Sequence, residues 1–291
     1  MNEEYVIEQT VSVYKTLEQQ TDFSPLNPVM TDTLTPFVRM VLDADRAGLD
    51  GDMILSDPRI VHIRPDMISL LNRAERDMEI YWSGVFTSSA LPPDLTQFWY
   101  FENYRELVDL ETDAFQNVPS QSHAPERVAF IGSGPLPLSG LLIHEGTGAA
   151  ITCIDQDEYC HGAGSAFLRA AGMKAVSTSC LEAGERYDYA GHDLVFVASM
   201  AAGKEAIVDR ILETAPPHVL IGVRSVQGVK RLLYEPVDTD VFERKGLVSV
   251  AFAAANDRTI NCTHFFCRPL AEMENDLICS ELHQELECAF L

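Results

Sequence analysis

The spacing of apolar side chains divides the chain into two parts with different expected structures. In the first 122 residues, apolar positions recur at helical spacing, and the short continuous apolar runs typical of buried strands are scarce. The predicted helices cover residues 2–20, 66–86 and 95–115. Pro65 and Asp66 are typical of a helix start, and the proline-bearing segment 24–28 is predicted to be a connection. We therefore predict an all-helical N-terminal domain over residues 1–122.

From Arg127 onwards, short apolar runs alternate with amphipathic intervals of helix length. The predicted strands cover residues 127–131, 150–155, 175–178, 193–198 and 218–223, and the predicted helices cover residues 138–145, 158–171 and 204–213. This alternation predicts a parallel sheet with right-handed crossovers. Two further strands, 248–254 and 262–267, are predicted to be antiparallel. The expected fold is α/β, with a Rossmann-like domain over 123–291 that begins in the proline-bracketed segment 118–125.

Composition narrows the classes of ligand and partner. The 291 residues include 44 acidic and 21 basic side chains, a formal net charge of −23, which disfavours nucleic acids and anionic membranes and permits a small cationic ligand. The first residues lack the features of a signal peptide, and no apolar run is long enough to span a bilayer, so a cytoplasmic protein is expected. Its seven cysteines do not show zinc-ligand spacing, so we expect no metal site.

A glycine-containing loop follows the first predicted strand and opens a helix. Gly132 and Gly134 allow a tight turn and a close approach to a ligand, but Pro135 and Pro137 replace the rest of a dinucleotide fingerprint. The next strand ends in Asp155, where an acid can accept hydrogen bonds from ribose hydroxyls. This pattern favours adenosine without a diphosphate; the alternative is a plain strand–turn–helix with an N-capping aspartate. The residues expected to contact the nucleoside are Gly132, Ser133, Gly134, Pro135, Leu136, Asp155 and Gln156.

Three motifs resemble the nicotianamine synthase family: FIGSGPLPL at 130–138, WYFENY at 99–104 and RSVQGVKRLLY at 224–234. That family also includes bacterial enzymes that make opine metallophores of the staphylopine and pseudopaline type. Its members join a helical N-terminal domain to a Rossmann-like domain of the S-adenosylmethionine methyltransferase type. The resemblance implies that S-adenosylmethionine is a substrate, that its 3-amino-3-carboxypropyl (aminobutanoyl) group moves to an amine, and that 5′-methylthioadenosine is released.

The resemblance also assigns roles to individual residues. The segment AERDMEIYW at 74–82 looks like the family's catalytic helix and places the catalytic glutamate on Glu79. Tyr104 falls on the active-site tyrosine, with Tyr100 one helical turn before it. Arg224 and Tyr234 match substrate-binding positions, and a bidentate grip on a substrate carboxylate is expected of Arg224.

One departure concerns adenine. Where many such enzymes carry an acid after the third strand, this chain has Ser179, Cys180 and Leu181, so backbone groups or Glu182 would have to hold the adenine amine.

Alternatives remain open for each of these roles. From the residues alone, Glu79 is also consistent with a solvated carboxylate on a helix face with Glu75 and Asp77, and the two tyrosines with core packing. The acceptor is either a second molecule derived from S-adenosylmethionine, giving nicotianamine, or histidine or another amino acid. An ordinary methyltransferase and a nucleotide-sensing regulator are the other classes considered. The sequence leaves the oligomeric state open, with a homodimer as one option.

Overall fold

Helices form the first part of the computed structural model, which describes residues 1–88, 91–118, 124–173 and 177–269. They are α1 (Glu3–Leu17), α2 (Pro28–Arg46), α3 (Gly51–Ser56), α4 (Pro58–Thr87), a 3₁₀ helix (Leu95–Gln97) and α5 (Phe101–Gln116). The first four begin after a side chain that accepts a hydrogen bond from a backbone N–H of the first turn; the four caps are Asn2, Asn27, Asp50 and Asp57. Such caps satisfy donors that the helix itself leaves unpaired.

The predicted start of α4 was wrong, and α2 was not predicted. Pro65 lies inside α4, which begins a full two turns earlier because Asp57 caps it and Pro58 occupies its first turn. The segment 24–28 is a connection only up to Asn27, because α2 begins at Pro28. The Asn27 side chain caps this helix by accepting a hydrogen bond from the Val29 backbone N–H at 3.1 Å. The predicted helix 95–115 is divided into the 3₁₀ helix and α5.

A seven-stranded sheet forms the second part of the chain. Its strands are β1 (Arg127–Ile131), β2 (Ala150–Asp155), β3 (Ser177–Leu181), β4 (Leu194–Val197), β5 (Leu220–Ser225), β6 (Val248–Ala253) and β7 (Cys262–Cys267). The spatial order is β3-β2-β1-β4-β5-β7-β6, with β1 to β5 parallel and β7 antiparallel to both neighbours. The helices of this part are α6 (Leu138–Thr147), α7 (Glu158–Ala170), α8 (Lys204–Thr214) and α9 (Thr239–Arg244).

This topology confirms the predicted α/β class and places the ligand crevice. The chain turns one way from β1 to β2 and β3, and the other way to β4 and β5, so β1 and β4 flank the point where strand order reverses. Ligands of open parallel sheets bind at the carboxyl ends of the strands at that point. The antiparallel pair β6 and β7 is confirmed at the predicted positions. Residues 175–176 of the third predicted strand and the acidic tail 272–291 lie outside the described residues.

Several segments hold the helical part against the carboxyl edge of the sheet. Val226, Val229 and Leu232, which follow β5, belong to the same buried apolar cluster as residues of α1 to α4. Ser83 of α4 donates to the Ala163 carbonyl oxygen of α7 at 3.1 Å, and Lys230 lies 3.3 Å from the Asp45 carboxylate. These contacts join the helical part, including α4, to α7 and to the segment that follows β5.

The predicted domain boundary lies outside the described residues, whereas the described helices can be examined for membrane spans. The division at residues 122 and 123 falls within 119–123, which are not described, so two domains with that boundary remain our proposal. Among the described residues, the helices are too short or too polar to cross a membrane.

Candidate active site

The loop after β1 turns through two glycines with left-handed backbone. Gly132 has φ +73° and Gly134 has φ +69°, a region that side chains rarely adopt. A Cβ on Gly134 would lie 2.7 Å from Oε2 of Glu79, so only glycine leaves room for that carboxyl group. The loop therefore passes directly beneath the predicted catalytic residue.

Asp155, at the end of β2, is held by the same loop. Its Oδ2 accepts from the Gly134 backbone N–H at 2.8 Å and its Oδ1 from the Asp157 N–H at 2.9 Å. The N-cap of α7 is Asp157, which accepts from the Cys160 N–H at 2.8 Å, so Asp155 is not the capping aspartate that the alternative interpretation required. Each Asp155 oxygen keeps a second lone pair for a hydroxyl donor.

A cavity of about 850 Å³, here called the nucleoside cavity, opens at this edge of the sheet. Its lining includes Gly132, Gly134, Pro135, Asp155 and Gln156 of the predicted nucleoside set. Glu182 also lines it, and its Oε1 accepts from the Ala183 backbone N–H at 2.9 Å and from the Arg186 Nε at 3.0 Å. Glu182 is therefore placed where the sequence required a substitute for the missing acid after β3.

Glu79 forms a carboxyl–phenol pair with Tyr104. The Tyr104 Oη donates to Glu79 Oε1 at 2.5 Å, and Glu79 is buried on α4. Burial raises the pKa of Glu79 well above its ordinary value, and the carboxylate of Glu75 adds to the rise. The hydrogen bond from Tyr104 acts in the opposite direction. A raised pKa makes the Glu79 carboxylate a stronger base than an exposed glutamate.

A second pair lies one helical turn away and was missed by the sequence analysis. Tyr234 donates a short hydrogen bond to Glu75 Oε2, and burial raises the pKa of Glu75 although Tyr234 and Arg224 lower it. From the sequence, Glu75 was expected only to lie on a solvent-exposed face of its helix. The available signal was its spacing of four residues from Glu79, which places both carboxyl groups on one side of α4.

Arg224 is paired within the chain. Its Nε and Nη2 donate to the two oxygens of Glu111 at 2.8 and 2.9 Å, and Thr263 donates to the same carboxylate at 2.6 Å. Burial opposes the charge of Arg224, but Glu111 outweighs it and raises the pKa of the guanidinium group. This pair uses Nε and Nη2 of the guanidinium group, so a bidentate grip on a substrate carboxylate by Arg224 stays a prediction. Glu111 was not among the predicted residues.

A central cavity of about 690 Å³ lies beside the nucleoside cavity. The predicted residues in its lining are Glu79, Tyr100, Tyr104, Gly132, Ser133, Gly134, Leu136, Arg224 and Tyr234. Glu79 lines both cavities, as do the two glycines. The structure thus brings every predicted site residue to one of two adjacent cavities, with Glu79 where they meet. The described residues contain no cluster of His, Cys, Asp and Glu side chains suited to a metal ion.

Comparison with known proteins identifies relatives along nearly the whole chain. The family model described as nicotianamine synthase protein matches residues 1–269. Nicotianamine synthase 9 of Hordeum vulgare is 29% identical over 276 residues, which cover 90% of this chain and 78% of the barley protein. Nicotianamine synthase 3 of Oryza sativa subsp. indica is 31% identical over 210 residues, 68% of this chain and only 61% of the rice protein.

Solved structures share the fold at low sequence identity. MtNAS in complex with MTA and tNA superposes with a TM-score of 0.75 at 18% identity, covering 90% of this chain and 97% of that one. A mutant of MtNAS in complex with S-adenosylmethionine gives the same values. The mitomycin 7-O-methyltransferase MmcR superposes with a TM-score of 0.51 at 13% identity, covering 87% of this chain and 74% of that one. These likenesses support the methyltransferase-type sheet and the helical N-terminal part.

Proposed function

The chain belongs to the nicotianamine synthase family, and from this membership we propose that it is a transferase that uses S-adenosylmethionine as a substrate. The proposed reaction moves the 3-amino-3-carboxypropyl group to an amine and releases 5′-methylthioadenosine. The observation that carries the proposal is the buried Glu79–Tyr104 pair at the junction of the nucleoside and central cavities. We propose a metallophore of the nicotianamine type as the product.

The nucleoside cavity suits an adenosine without a diphosphate. Asp155 is fixed by two backbone N–H groups and can accept hydrogen bonds from the ribose hydroxyls. The left-handed glycine loop lets the backbone approach the ligand closely, and Glu182 lines the same cavity. A sulfonium carries a positive charge, so the carboxylates of Asp155 and Glu79 favour its binding. S-adenosylmethionine is known in the solved complex of the MtNAS mutant.

Glu79 supplies the proton acceptor that the transfer needs. The acceptor ammonium gives one proton to the Glu79 carboxylate, and the neutral nitrogen attacks the methylene carbon next to sulfur. The new N–C bond forms as the C–S bond breaks, and the electron pair stays on sulfur in 5′-methylthioadenosine. The product is a secondary ammonium group. The raised pKa of Glu79 suits this role, because a carboxylate with a raised pKa is a stronger proton acceptor than an exposed one.

The choice among the three carbons attached to sulfur is a matter of position. Transfer of the carboxypropyl arm requires that this arm enter the central cavity, where Glu79 and Tyr104 lie, and that the methyl group face away. A methyltransferase would place the methyl group there instead. The identity of the released nucleoside therefore separates the two reactions.

The test incubates the purified protein with S-adenosylmethionine, alone and with histidine, and identifies all products by mass spectrometry. We expect 5′-methylthioadenosine together with a product built from S-adenosylmethionine alone. Dependence on histidine would instead indicate the opine-type transfer, and S-adenosylhomocysteine would overturn the proposal in favour of methylation. The Glu79→Gln variant is expected to bind S-adenosylmethionine and lose turnover; full turnover would remove Glu79 as the base.

A further inference from the structure

A third cavity, here called the outer cavity, has Glu75 in its lining. It has a volume of about 760 Å³, part of which is open to solvent, and is lined by side chains of α2 and α4, by the aromatic residues 99–100, and by Leu233 and Tyr234. Glu75, Tyr100 and Tyr234 line both this outer cavity and the central cavity. The two cavities are therefore adjacent, and the Glu75–Tyr234 pair lies at their junction.

The walls of the outer cavity are mostly apolar, and away from that junction the described lining includes the hydroxyl groups of Thr31 and Thr35. Met30, Leu34 and Val38 of α2 face Leu71 and Met78 of α4 across it. Among its described lining residues there is no lysine, arginine or histidine, so a carboxylate placed there would meet no opposite charge. Apolar walls with a few convergent polar groups are the usual composition of a small-molecule site.

The polar groups of the junction favour a cation. Glu75 is the one carboxyl group in the described lining, and its hydrogen bond from Tyr234 fixes its position. The rings of Trp99 and Tyr100 meet edge to face at 5.1 Å and add aromatic surfaces that attract positive charge. Burial raises the pKa of Glu75, and a cation beside the carboxylate would offset that burial.

We propose that Glu75 and Tyr234 bind the ammonium group of the acceptor, and that the outer cavity holds an uncharged apolar part of the same molecule. The acceptor class is a primary amine with an uncharged, apolar or aromatic part next to the ammonium group. For the proposed nicotianamine-type product, the methylene chain of an acceptor derived from S-adenosylmethionine is that part. Any carboxylate of the acceptor lies in the central cavity, whose lining includes the amides of Asn103 and Asn261. This assignment rests on the proposed function, because it places the acceptor next to Glu79.

The affinities of three small probes for the full chain, measured by titration calorimetry, test this assignment. Benzylamine, benzyl alcohol and benzoate differ in charge and share an aromatic ring. We expect benzylamine to bind about tenfold or more tightly than benzyl alcohol, because a hydrogen bond to a charged group exceeds a neutral one, and we expect benzoate to be excluded. Equal binding of the amine and the alcohol, or preferential binding of benzoate, would overturn the proposal.

Variants locate the probe and identify the group that recognises it. Glu75→Gln is expected to abolish the preference for benzylamine and to leave benzyl alcohol binding unchanged. Leu34→Trp is expected to fill the outer cavity and abolish binding of both probes, while the affinity for S-adenosylmethionine stays the same. Asp77→Asn, on α4 but outside the cavity lining, is the matched control and should change neither probe. Tyr234→Phe keeps the carboxylate but removes the second group, so it should weaken the preference for benzylamine without abolishing it. The unchanged binding of benzyl alcohol in Glu75→Gln is the guard against a folding defect.

The outcomes separate this inference from the proposed function. If the protein releases no 5′-methylthioadenosine but retains the Glu75-dependent preference for benzylamine, the transferase proposal fails and the ammonium site stands. If 5′-methylthioadenosine is released but Glu75→Gln keeps the preference, the transferase stands and the assignment of Glu75 is wrong.

Discussion

The hydroxyl group of Tyr104 tunes the base on which the proposed chemistry depends. Its hydrogen bond to Glu79 lowers the pKa of a carboxyl group that burial and Glu75 raise. Tyr104→Phe removes the lowering contribution, so the pKa of Glu79 should rise and the fraction in the base form should fall at any given pH. The acidic limb of the pH–rate profile is expected to move to higher pH by about one to two units, the equivalent of one hydrogen bond to a charged group.

The control for this shift is Tyr81→Phe, which alters a phenol on α4 outside the described lining of these cavities. Its profile should match that of the unmodified protein. An unmoved acidic limb in Tyr104→Phe, measured on a protein that still turns over, would contradict the role given to the Tyr104–Glu79 hydrogen bond.

Position 134 requires glycine for two reasons, its left-handed backbone conformation and the closeness of Glu79. Its φ of +69° disfavours any side chain, and a Cβ would approach Glu79 Oε2 to 2.7 Å. Gly134→Ala should therefore displace Glu79 and reduce kcat by about tenfold or more, the equivalent of ~1.4 kcal/mol in the barrier. Gly162→Ala, in α7 with open space around it, should leave kcat unchanged. Equal activity of the two variants would show that the loop tolerates a side chain.

Single residues of the site differed in how far the sequence could identify them. Glu79, Tyr104 and Asp155 lie in sequence patterns that predict their roles, and the structure places them in the lining of the two adjacent cavities. Glu75 and Glu111 could not be identified, because their partners lie far away in the sequence. Tyr234 is 159 positions from Glu75, and Arg224 is 113 positions from Glu111. When its partner is not known, a carboxylate in a predicted helix is expected to be exposed to solvent.

One buried ion pair joins α5 to β5, and a hydrogen bond from Thr263 joins α5 to β7. Glu111 is 0% exposed and Arg224 6% exposed, and Thr263 completes the hydrogen bonding of the carboxylate. Glu111→Gln leaves a buried guanidinium without its counter-charge and should lower the free energy of unfolding by about 3–5 kcal/mol. Urea denaturation followed by circular dichroism measures this change.

Glu102→Gln is the matched control on α5, since its ion pair with Arg105 is exposed and should contribute about 0–1 kcal/mol. The double variant with Glu111→Gln and Arg224→Met should recover part of the lost stability, because it leaves no buried charge. A destabilisation by Glu111→Gln no larger than that of Glu102→Gln would contradict the structural importance of the pair.

Strands could be predicted from the sequence more accurately than helices. Buried parallel strands are short apolar runs bounded by glycine or polar residues, and β1, β2 and β7 lie at the predicted positions. Helices α2 and α3 were not predicted, and α4 begins before its predicted start. Pro28 was placed in a connection and Pro65 at a helix start, whereas Pro58 occupies the first turn of α4. Two of these prolines occupy first turns, where they are compatible with a helix, and the distinction depends on the capping residue before each.

The two parts of the molecule are expected to unfold together. Residues that follow β5 complete the apolar core of the helical part, and Gly51 of α3 packs so closely on Gly228 that a Cβ would lie 2.7 Å from a backbone atom. Gly51→Ala should therefore destabilise both parts by about 1–3 kcal/mol. Tryptophan fluorescence from α4 and circular dichroism of the whole chain should report the same urea midpoint.

Gly84→Ala provides the comparison, because Gly84 lies within α4 with open space around it and alanine should stabilise that helix by up to about 1 kcal/mol. Separate transitions in Gly51→Ala would show that the two parts fold independently. Such independence would also weaken the placement of Glu79 over the glycine loop, which depends on their contact.

The acidic residues that give the chain its net charge of −23 are divided between the cavities and the surface. A few carboxyl groups, among them Glu75, Glu79 and Asp155, line the cavities, where they suit a sulfonium donor and an ammonium acceptor. Most of the other described acids lie on the surface. Both proposed ligands are therefore cations entering an acidic site, which agrees with the class of ligand that the composition permits.

The most direct test of the central claim follows which group leaves the sulfur. S-adenosylmethionine that carries deuterium in its methyl group and a carbon label in its carboxyl group is incubated with the intact protein, and both products are analysed by mass spectrometry. We predict that the deuterated methyl stays on the thioadenosine and that the carboxyl label appears on the amine product. Deuterated methyl on an acceptor, with the carboxyl label in S-adenosylhomocysteine, would contradict it.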